Sequence, residues 1–474
     1  MPTIKHLLLS LGMVAGLVGS LPTHAADDTE QASLIAQGKY IAIASDCAAC
    51  HTLNSGQPFA GGQGIASPVG TIYASNISSS KQYGIGNYTE AEFADAVRKG
   101  IRRDGANLYP AMPYTSYAIL TDQDIHALYA YFMHDVAPVD EATPVTKLPF
   151  PMNLRLSMKG WNMLFLSGKP MVNDPSQSAE WNRGRYLVEG PAHCSTCHSP
   201  RGFMMQEEKD KELSGGLVGA WYAPNITSDP VSGIGSWSQA DLVNYLHTGR
   251  LSGKAQAAGS MGEAVEHSFQ YLSDADLNAI AIYIKTIAPI RDGSDKASRF
   301  GQGEASSEVA SFRGMKFDDT NAGNASGGQL FQGNCASCHS PKAQGSKDGY
   351  YPSLFHNSVT GSSNPNNLIA TILNGVNRTT AEGQAYMPGF GGKPDDLNAL
   401  SNEQVATLAN YVLAAYGQPG TSVTAAEVDV VRQGGPTSNL ILLARIGMVG
   451  GTAVVLLVII FLLRRRKKRA ETPA

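Results

Sequence analysis

Three short strings, CAACH at residues 47–51, CSTCH at residues 194–198 and CASCH at residues 335–339, hold all six cysteines of this 474-residue chain. They leave no cysteine for a disulfide bond elsewhere. Similar segments surround each string, which indicates a repeated unit. The predicted units are module 1 at residues 32–140, module 2 at residues 178–291 and module 3 at residues 325–417.

Paired cysteines of this kind serve as disulfides, as a zinc site, as a redox-active dithiol or as an attachment site for haem c. A zinc site would need two such pairs converging on one metal. A redox dithiol needs no fixed histidine and lies near a βαβ pattern, which the sequence lacks. In CxxCH the two thiols can form thioethers with the haem vinyl groups while the histidine binds the iron. The strings therefore predict three covalently bound haems c, attached through Cys47, Cys50, Cys194, Cys197, Cys335 and Cys338, with His51, His198 and His339 as iron ligands.

The second iron ligand of each haem has to come from later in the same module, as methionine or histidine. Met112 and Met387 are each followed by a proline, which fixes the loop that would hold the sulfur against the haem. Met261 lies at a matching distance from its CxxCH string but has no proline after it. Met112, Met261 and Met387 are the predicted ligands, with His247 and His267 as alternatives in module 2.

Each module opens with a short helical stretch and closes with a capped amphipathic helix. We predict that the apolar face of each closing helix packs against the opening helix. The opening stretches contain Gly38-Lys-Tyr40, Gly184-Arg-Tyr186 and a looser Gly328-Gln-Leu-Phe331. The caps are Thr121, Ser273 and Ser401, and the apolar sets are Ile125, Leu128 and Phe132, then Leu277, Ile280 and Ile284, then Val405, Leu408 and Val412.

Modules 1 and 2 share a segment that module 3 lacks. In each, an asparagine, Asn76 or Asn225, precedes a Gly-Ile-Gly string by eight residues, and a capped helix follows. Two roles fit these asparagines. One is to donate hydrogen bonds to haem propionates, because buried carboxylates need donors, and the other is to form a plain turn.

Both ends of the chain predict membrane targeting. Residues 1–25 hold one charged residue before an apolar stretch and form a predicted signal peptide. Residues 440–463 are a predicted transmembrane anchor, followed by a basic tail at residues 464–474. Because basic residues stay on the cytoplasmic side, the modules are predicted to lie in the periplasm on the cell inner membrane.

The charge and the missing motifs exclude other functions. Between the predicted signal peptide and the predicted anchor, 28 basic residues stand against 39 acidic ones, a net charge of −11, which excludes a nucleic-acid binder. The sequence has no GxGxxG string opening a βαβ unit and no nucleophile with a paired base. We therefore predict electron transfer and name no catalytic residue.

Three segments lie outside the modules. Residues 292–324 and 418–439 are polar and are predicted to be linkers. Residues 141–177 connect modules 1 and 2, and their central part, residues 148–171, is apolar with Trp161 and basic residues. This part either lies in the membrane interface or packs between modules or against another subunit.

The three modules, the strings NIT at 225–227, GIGSW at 233–237 and KDGYYPSL at 347–354, and the single C-terminal anchor resemble a known family. It is the triheme cytochrome c subunits of membrane-bound dehydrogenases of acetic acid bacteria. The terminal anchor is most similar to that of the FAD-dependent fructose and sorbitol dehydrogenases. Cytochrome subunits of alcohol and gluconate dehydrogenases share the module plan.

With the module pattern, this resemblance implies an all-α fold of three tandem class I cytochrome c domains plus one C-terminal transmembrane helix. It also implies a complex in which an FAD-containing large subunit oxidises a sugar or polyol and a small subunit assists its maturation. This chain would pass the electrons to ubiquinone. The alternatives are the cytochrome subunit of a quinoprotein alcohol dehydrogenase, a stand-alone membrane-tethered carrier, and a haem enzyme with an open iron site.

Overall fold

The computed structural model describes residues 24–53, 56–312 and 325–470. Most of the predicted signal peptide therefore lies outside the described residues. Within them the fold is helical, with four small antiparallel sheets of two strands each. The helical class predicted from the sequence is confirmed, and the hairpins are additions that the sequence pattern did not indicate.

Module 1 is built around its first and last helices. Its elements are α1 (His24–Ala44), α2 (Cys47–His51), β1 (Gly64–Ser67), β2 (Gly70–Tyr73), α3 (Glu90–Lys99), α4 (Tyr114–Tyr117) and α5 (Asp122–His134). Helix α1 packs against α5, and the residues between them complete one apolar core. The Thr121 side chain accepts a hydrogen bond from the Asp124 amide and so begins α5, as predicted. The connecting segment after module 1 holds α6 (Leu156–Phe165).

Module 2 repeats this plan around its own core. Its elements are α7 (Ala179–Glu189), α8 (Cys194–His198), β3 (Gly216–Val218), β4 (Trp221–Ala223), α9 (Gln239–Thr248), β5 (Arg250–Leu251), β6 (Ala255–Gln256), α10 (Gly259–His267) and α11 (Asp274–Thr286), with 3₁₀ turns at Lys209–Lys211 and Phe269–Tyr271. Helix α7 packs against α11, which confirms the predicted pairing. The Ser273 side chain caps α11 as predicted.

Module 3 has a third core, to which a helix from the predicted linker contributes. Its elements are α12 (Gly327–Asn334), α13 (Ala336–His339), α14 (Asn366–Asn374), β7 (Val376–Thr380), β8 (Gly383–Met387), α15 (Asn402–Tyr416) and α16 (Ala425–Arg432). Helix α12 packs against α15 as predicted. Helix α16 lies within the predicted linker at 418–439, yet Val428 and Val431 are buried in this core. A capping box between Thr424 and Glu427 starts that helix.

The predicted linker at 292–324 also makes ordered contacts over its described part. It contains 3₁₀ turns at Arg299–Gly301 and Val309–Phe312. Phe300 packs against the Trp237 ring of module 2, with 5.7 Å between ring centroids, and Arg299 is buried. The polar composition of residues 292–324 gave no indication of these contacts.

The opening and closing helices cross without room for a side chain at the contact. A β carbon at Gly38 would overlap the carbonyl oxygen of Ala127, and one at Gly184 would overlap that of Ala279. The two glycines occupy equivalent positions in modules 1 and 2. The opening helix can therefore approach the closing helix only where its residue is glycine.

Module 3 uses a different glycine from the one that the sequence suggested. A β carbon at Gly327 would overlap the Cβ of Tyr411. Tyr411 occupies the same position in its closing helix as Tyr131 and Tyr283 do in theirs. Gly327 is therefore the counterpart of the crossing glycines, one residue before the predicted Gly328. Two adjacent glycines fit the sequence pattern equally well, and only the packing separates them.

Modules 1 and 2 contact each other through a reciprocal pair of hydrogen bonds. The Tyr40 hydroxyl of module 1 donates to the Asp276 carboxylate of module 2 at 2.6 Å. The Tyr186 hydroxyl of module 2 donates to the Asp124 carboxylate of module 1. The four residues hold equivalent places in the two modules, so the contact has approximate twofold symmetry.

The last helix is α17 (Leu440–Ala470). Its candidate membrane-spanning part is Leu440–Arg466, whose most apolar 18 residues have a mean hydropathy of 2.8 and are not buried. It is the one helix in the described part of the chain that is long and apolar enough to cross a membrane. The predicted anchor at 440–463 lies inside it.

We expect Gly38→Ala to destabilise the haem-loaded chain by roughly 2 kcal/mol or more, because the added methyl group forces α1 away from α5. Thermal unfolding followed by circular dichroism would show a lower first transition. Gly160→Ala in α6 is the matched control, since an added β carbon there meets no atom within 4 Å. Equal transitions for the two variants would contradict the close crossing.

Candidate functional site

The CxxCH strings begin within five residues of the end of an opening helix and form short helical turns. In modules 1 and 2 the residue before the first cysteine, Asp46 or His193, has a left-handed backbone with φ of 50° and 37°. This conformation turns the chain into the string. All six cysteines are partly buried free thiols.

The thiols are not suited to redox exchange. Burial raises the pKa of the first cysteine of each string, Cys47, Cys194 and Cys335, to about 12. A reactive dithiol instead needs a thiolate with a lowered pKa. Thioether attachment to haem therefore fits these buried thiols better than redox exchange does.

The three histidines share one hydrogen-bond geometry. Nδ1 of His51 lies 2.6 Å from the Ser75 carbonyl oxygen, and Nδ1 of His198 lies 2.6 Å from that of Pro224. Nδ1 of His339 lies 2.9 Å from the carbonyl oxygen of Pro352. Each carbonyl can only accept, so Nδ1 holds the proton and Nε2 keeps a free lone pair.

The same loop turns follow each string. A glycine amide donates to the histidine carbonyl in all three modules: Gly61 to His51 at 2.8 Å, Gly215 to His198 at 2.7 Å, and Gly345 to His339 at 2.9 Å.

Burial lowers the pKa of each of the three histidines, which keeps the rings neutral. A neutral, oriented imidazole is the form that binds a metal.

The asparagines of the segment shared by modules 1 and 2 form turns, and their side-chain amides donate to backbone carbonyls. Asn76 accepts from the Ser78 amide at 2.9 Å and donates to the Val139 carbonyl at 2.8 Å. Asn225 makes the matching bonds to Thr227 and Ile290. Of the two roles left open by the sequence, the geometry supports the turn. The segment's further role was missed: the residue before each asparagine supplies the carbonyl that orients the histidine.

Modules 2 and 3 share a cavity of about 370 Å³. Apolar side chains make up most of its lining. Besides these, it is lined by Cys194, Cys197, His198 and Met261 of module 2 and by Cys335, Cys338, His339 and Met387 of module 3. The cavity thus brings together the predicted thioether cysteines, histidine and methionine of both modules.

The methionines of the shared cavity lie on regular elements. Met261 lies in the first turn of α10, and Met387 ends β8, where it pairs with Val376. His247 and His267, the alternatives in module 2, do not line the cavity. The location favours Met261 over both histidines.

Met112 of module 1 lies in the loop before α4. It packs against the apolar cluster of module 1, which Cys47 also contacts. The Tyr114 amide donates to the Met112 carbonyl at 2.8 Å, and Pro113 between them precedes α4. The predicted cysteine and methionine of module 1 thus border one apolar region.

One polar residue of the cavity was missed by the sequence analysis. Arg299 is 8% exposed and lines the cavity beside Tyr222 and Asn357. Its guanidinium donates to the Ser232 carbonyl and forms no ion pair within 4 Å among the described residues. Asp292 and Asp295 interact with this charge through space, but neither forms an ion pair with it within 4 Å. A buried guanidinium whose donors are not taken up by a carboxylate is a candidate ligand for one.

Together these residues fit haem c. The cavity supplies an apolar enclosure, two thiols next to a histidine with a free Nε2, a thioether sulfur, and a buried guanidinium. These are the groups that covalent attachment, two axial ligands and a propionate require.

Comparison with known proteins agrees with this chemistry. The model of the family described as "Cytochrome c" matches residues 35–134 and 325–415. The fructose dehydrogenase cytochrome subunit of Gluconobacter japonicus is 48% identical over 437 residues, which cover 91% of this chain and 89% of that protein. The alcohol dehydrogenase (quinone) cytochrome c subunit of Gluconacetobacter polyoxogenes is 39% identical over 86% of each chain. The gluconate 2-dehydrogenase cytochrome c subunit of Pantoea cypripedii is 38% identical over 89% of this chain and 95% of that protein.

We expect Met261→Leu to lower one of the haem midpoint potentials while leaving haem attachment intact, because a methionine sulfur raises the potential of the haem it binds. Redox titration and the mass of the intact chain would measure the two effects. His247→Gln and His267→Gln are the controls and should leave every midpoint unchanged. A shift in a histidine variant, with none in Met261→Leu, would contradict the assignment.

Proposed function

We propose that this chain, which belongs to the family of dehydrogenase cytochrome c subunits, carries electrons through three covalently bound haems c from a sugar or polyol dehydrogenase to ubiquinone. The observation that carries the proposal is the threefold recurrence of CxxCH with its histidine Nδ1 bonded to a backbone carbonyl. When bound, haem c supplies a one-electron Fe(III)/Fe(II) couple.

The middle module is part of this proposal although the family model matches only the outer two regions. It repeats the crossing glycine, the capped closing helix and the histidine-to-carbonyl bond of module 1. We therefore assign it as a third class I cytochrome c domain. The domains follow the predicted modules, with the described parts of 292–324 and 418–439 packed on modules 2 and 3.

The residue roles follow from their surroundings. The six cysteines attach the haems, and His51, His198 and His339 bind the irons through Nε2. The backbone carbonyls hold each imidazole in one tautomer and one orientation. Met112, Met261 and Met387 would be the second iron ligands, and a methionine ligand would raise the haem potential, which suits acceptance of electrons from a reduced flavin.

The proposed partners are those that the family resemblance implies, an FAD-containing large subunit and a small subunit. The 48% identity to a fructose dehydrogenase cytochrome subunit, against 39% to an alcohol dehydrogenase (quinone) cytochrome c subunit, supports a complex of the fructose dehydrogenase type. Helix α17 would anchor the chain in the inner membrane with its modules in the periplasm, because the basic residues follow the apolar run. The quinoprotein alcohol dehydrogenase remains the second candidate complex.

Purification of the tagged chain from its native membranes in mild detergent tests the complex. We expect an FAD protein to accompany it and to reduce the haems when fructose or sorbitol is added, as measured by the haem absorbance. A quinoprotein in its place would move the assignment to alcohol oxidation. Recovery of the cytochrome alone would support a stand-alone carrier.

We also propose that Arg299 binds a haem propionate in the shared cavity. Arg299→Gln should lower a midpoint potential of module 2 or 3, because loss of the nearby positive charge disfavours the reduced haem. Lys296→Gln removes the same charge from an exposed position three residues away and should leave the potentials unchanged. Unchanged potentials in both variants, with all haems attached by mass, would overturn this role.

A further inference from the structure

The segment between modules 1 and 2 has an unusual charge pattern. Between Glu141 and Asp174, residues 142–173 include no acidic residue and four basic ones, whereas the whole chain has more acidic than basic residues. The four are Lys147, Arg155, Lys159 and Lys169. Such a stretch is attracted to a surface of negative charge.

Helix α6 within this segment leaves an apolar face uncovered. Leu156, Met163 and Leu164 are 76%, 81% and 68% exposed, and their spacing of seven and eight residues places them on one side of the helix. We name these three residues the α6 face. An exposed apolar face of this kind on a short helix needs an apolar partner.

The opposite side of α6 fixes the helix on the haem modules. Trp161 is buried, and its indole Nε1 donates to the Met204 carbonyl of module 2 at 2.9 Å. The Tyr114 hydroxyl of module 1 donates to Asn162 Oδ1 at 2.8 Å. Helix α6 is therefore fixed to modules 1 and 2 by the side opposite the α6 face. The α6 face itself points away from the modules.

The start of the segment contacts the outer end of α17. Arg445 Nε donates to the Phe150 carbonyl oxygen at 2.9 Å. Arg445 lies in the second turn of α17, where the proposed membrane span begins. Phe150 and Leu154 are themselves 50% and 46% exposed. The contact places the segment at the level where α17 would enter the bilayer.

We propose that the α6 face, with Phe150 and Leu154, lies in the outer interface of the same membrane, and that the exposed lysines Lys147, Lys159 and Lys169 bind anionic lipid phosphates. The partner is the surface of a bilayer that contains anionic phospholipid. Apolar side chains beside Lys and Arg are the composition of interfacial helices. The proposal rests on the membrane span of α17 under the proposed function. With α6 in the interface, the hydrogen bond between Tyr114 and Asn162 holds the Met112 loop of module 1 next to the membrane surface.

The test uses the haem-loaded full chain with its co-purifying subunits, reconstituted in nanodiscs of phosphatidylethanolamine and phosphatidylglycerol. A phospholipid with a diazirine near the carbonyl end of its acyl chain is photolysed, and the labelled peptides are found by mass spectrometry. We expect label on residues 150–165 and on α17. Leu397, which is 65% exposed in module 3, is the internal reference and should stay unlabelled.

A triple variant, Leu156→Glu with Met163→Glu and Leu164→Glu, should reduce the label on residues 150–165 by roughly tenfold relative to α17, because carboxylates leave the acyl region. Leu397→Glu is the matched control and should change nothing. The variant should keep its haem spectrum, since the substituted side chains are exposed.

Label confined to α17, or label on residues 150–165 that the triple variant does not reduce, would overturn the proposal. So would label that appears on this segment only when the catalytic subunit is removed, because the α6 face would then be a protein interface. Absence of label from α17 with label on residues 150–165 would instead reject the span and keep the interfacial contact. Absence of label from both would reject the two together.

Discussion

A helix crossing with no room for a side chain is the constraint on which each module depends. Gly38 and Gly184 meet backbone carbonyls of the closing helices, and Gly327 meets Tyr411. In every module the cysteine string begins within five residues of the end of the opening helix. The crossing therefore fixes where the two thiols and the histidine lie relative to the closing helix and its apolar core. A displaced crossing would move the attachment site and the axial histidine as one unit.

The histidines depend on a second, equally simple device, which is a backbone carbonyl placed opposite Nδ1. Modules 1 and 2 obtain it from the residue before a buried asparagine, whereas module 3 obtains it from Pro352 in a different loop. Two unlike segments thus produce one geometry. A backbone acceptor also has no side chain that can be replaced, so the orientation of the ligand tolerates sequence change around it.

The features predicted from the sequence were local ones. The cysteine strings and the caps at Thr121 and Ser273 need only neighbouring residues, and so their patterns suffice. The partner of Asn76 is the Val139 carbonyl, 63 residues away, and no local pattern separates that bond from a propionate contact. Arg299 and helix α16 were not predicted because a polar composition indicates exposed residues. Their burial depends on packing against modules 2 and 3, which the composition of the linkers does not show. The iron ligands themselves stay predictions.

The reciprocal contact between modules 1 and 2 is the geometry of a homodimer contained in one chain, as duplication and fusion of a self-pairing ancestor would leave it. In a homodimer every substitution falls on both halves, and the two haem surroundings must stay identical. In a fused chain each half can diverge alone. Gln37 and Arg183 hold equivalent places beside Asp124 and Asp276, and one is neutral while the other is charged. A single chain with two paired halves can therefore carry a directional difference between its two modules, which a homodimer cannot.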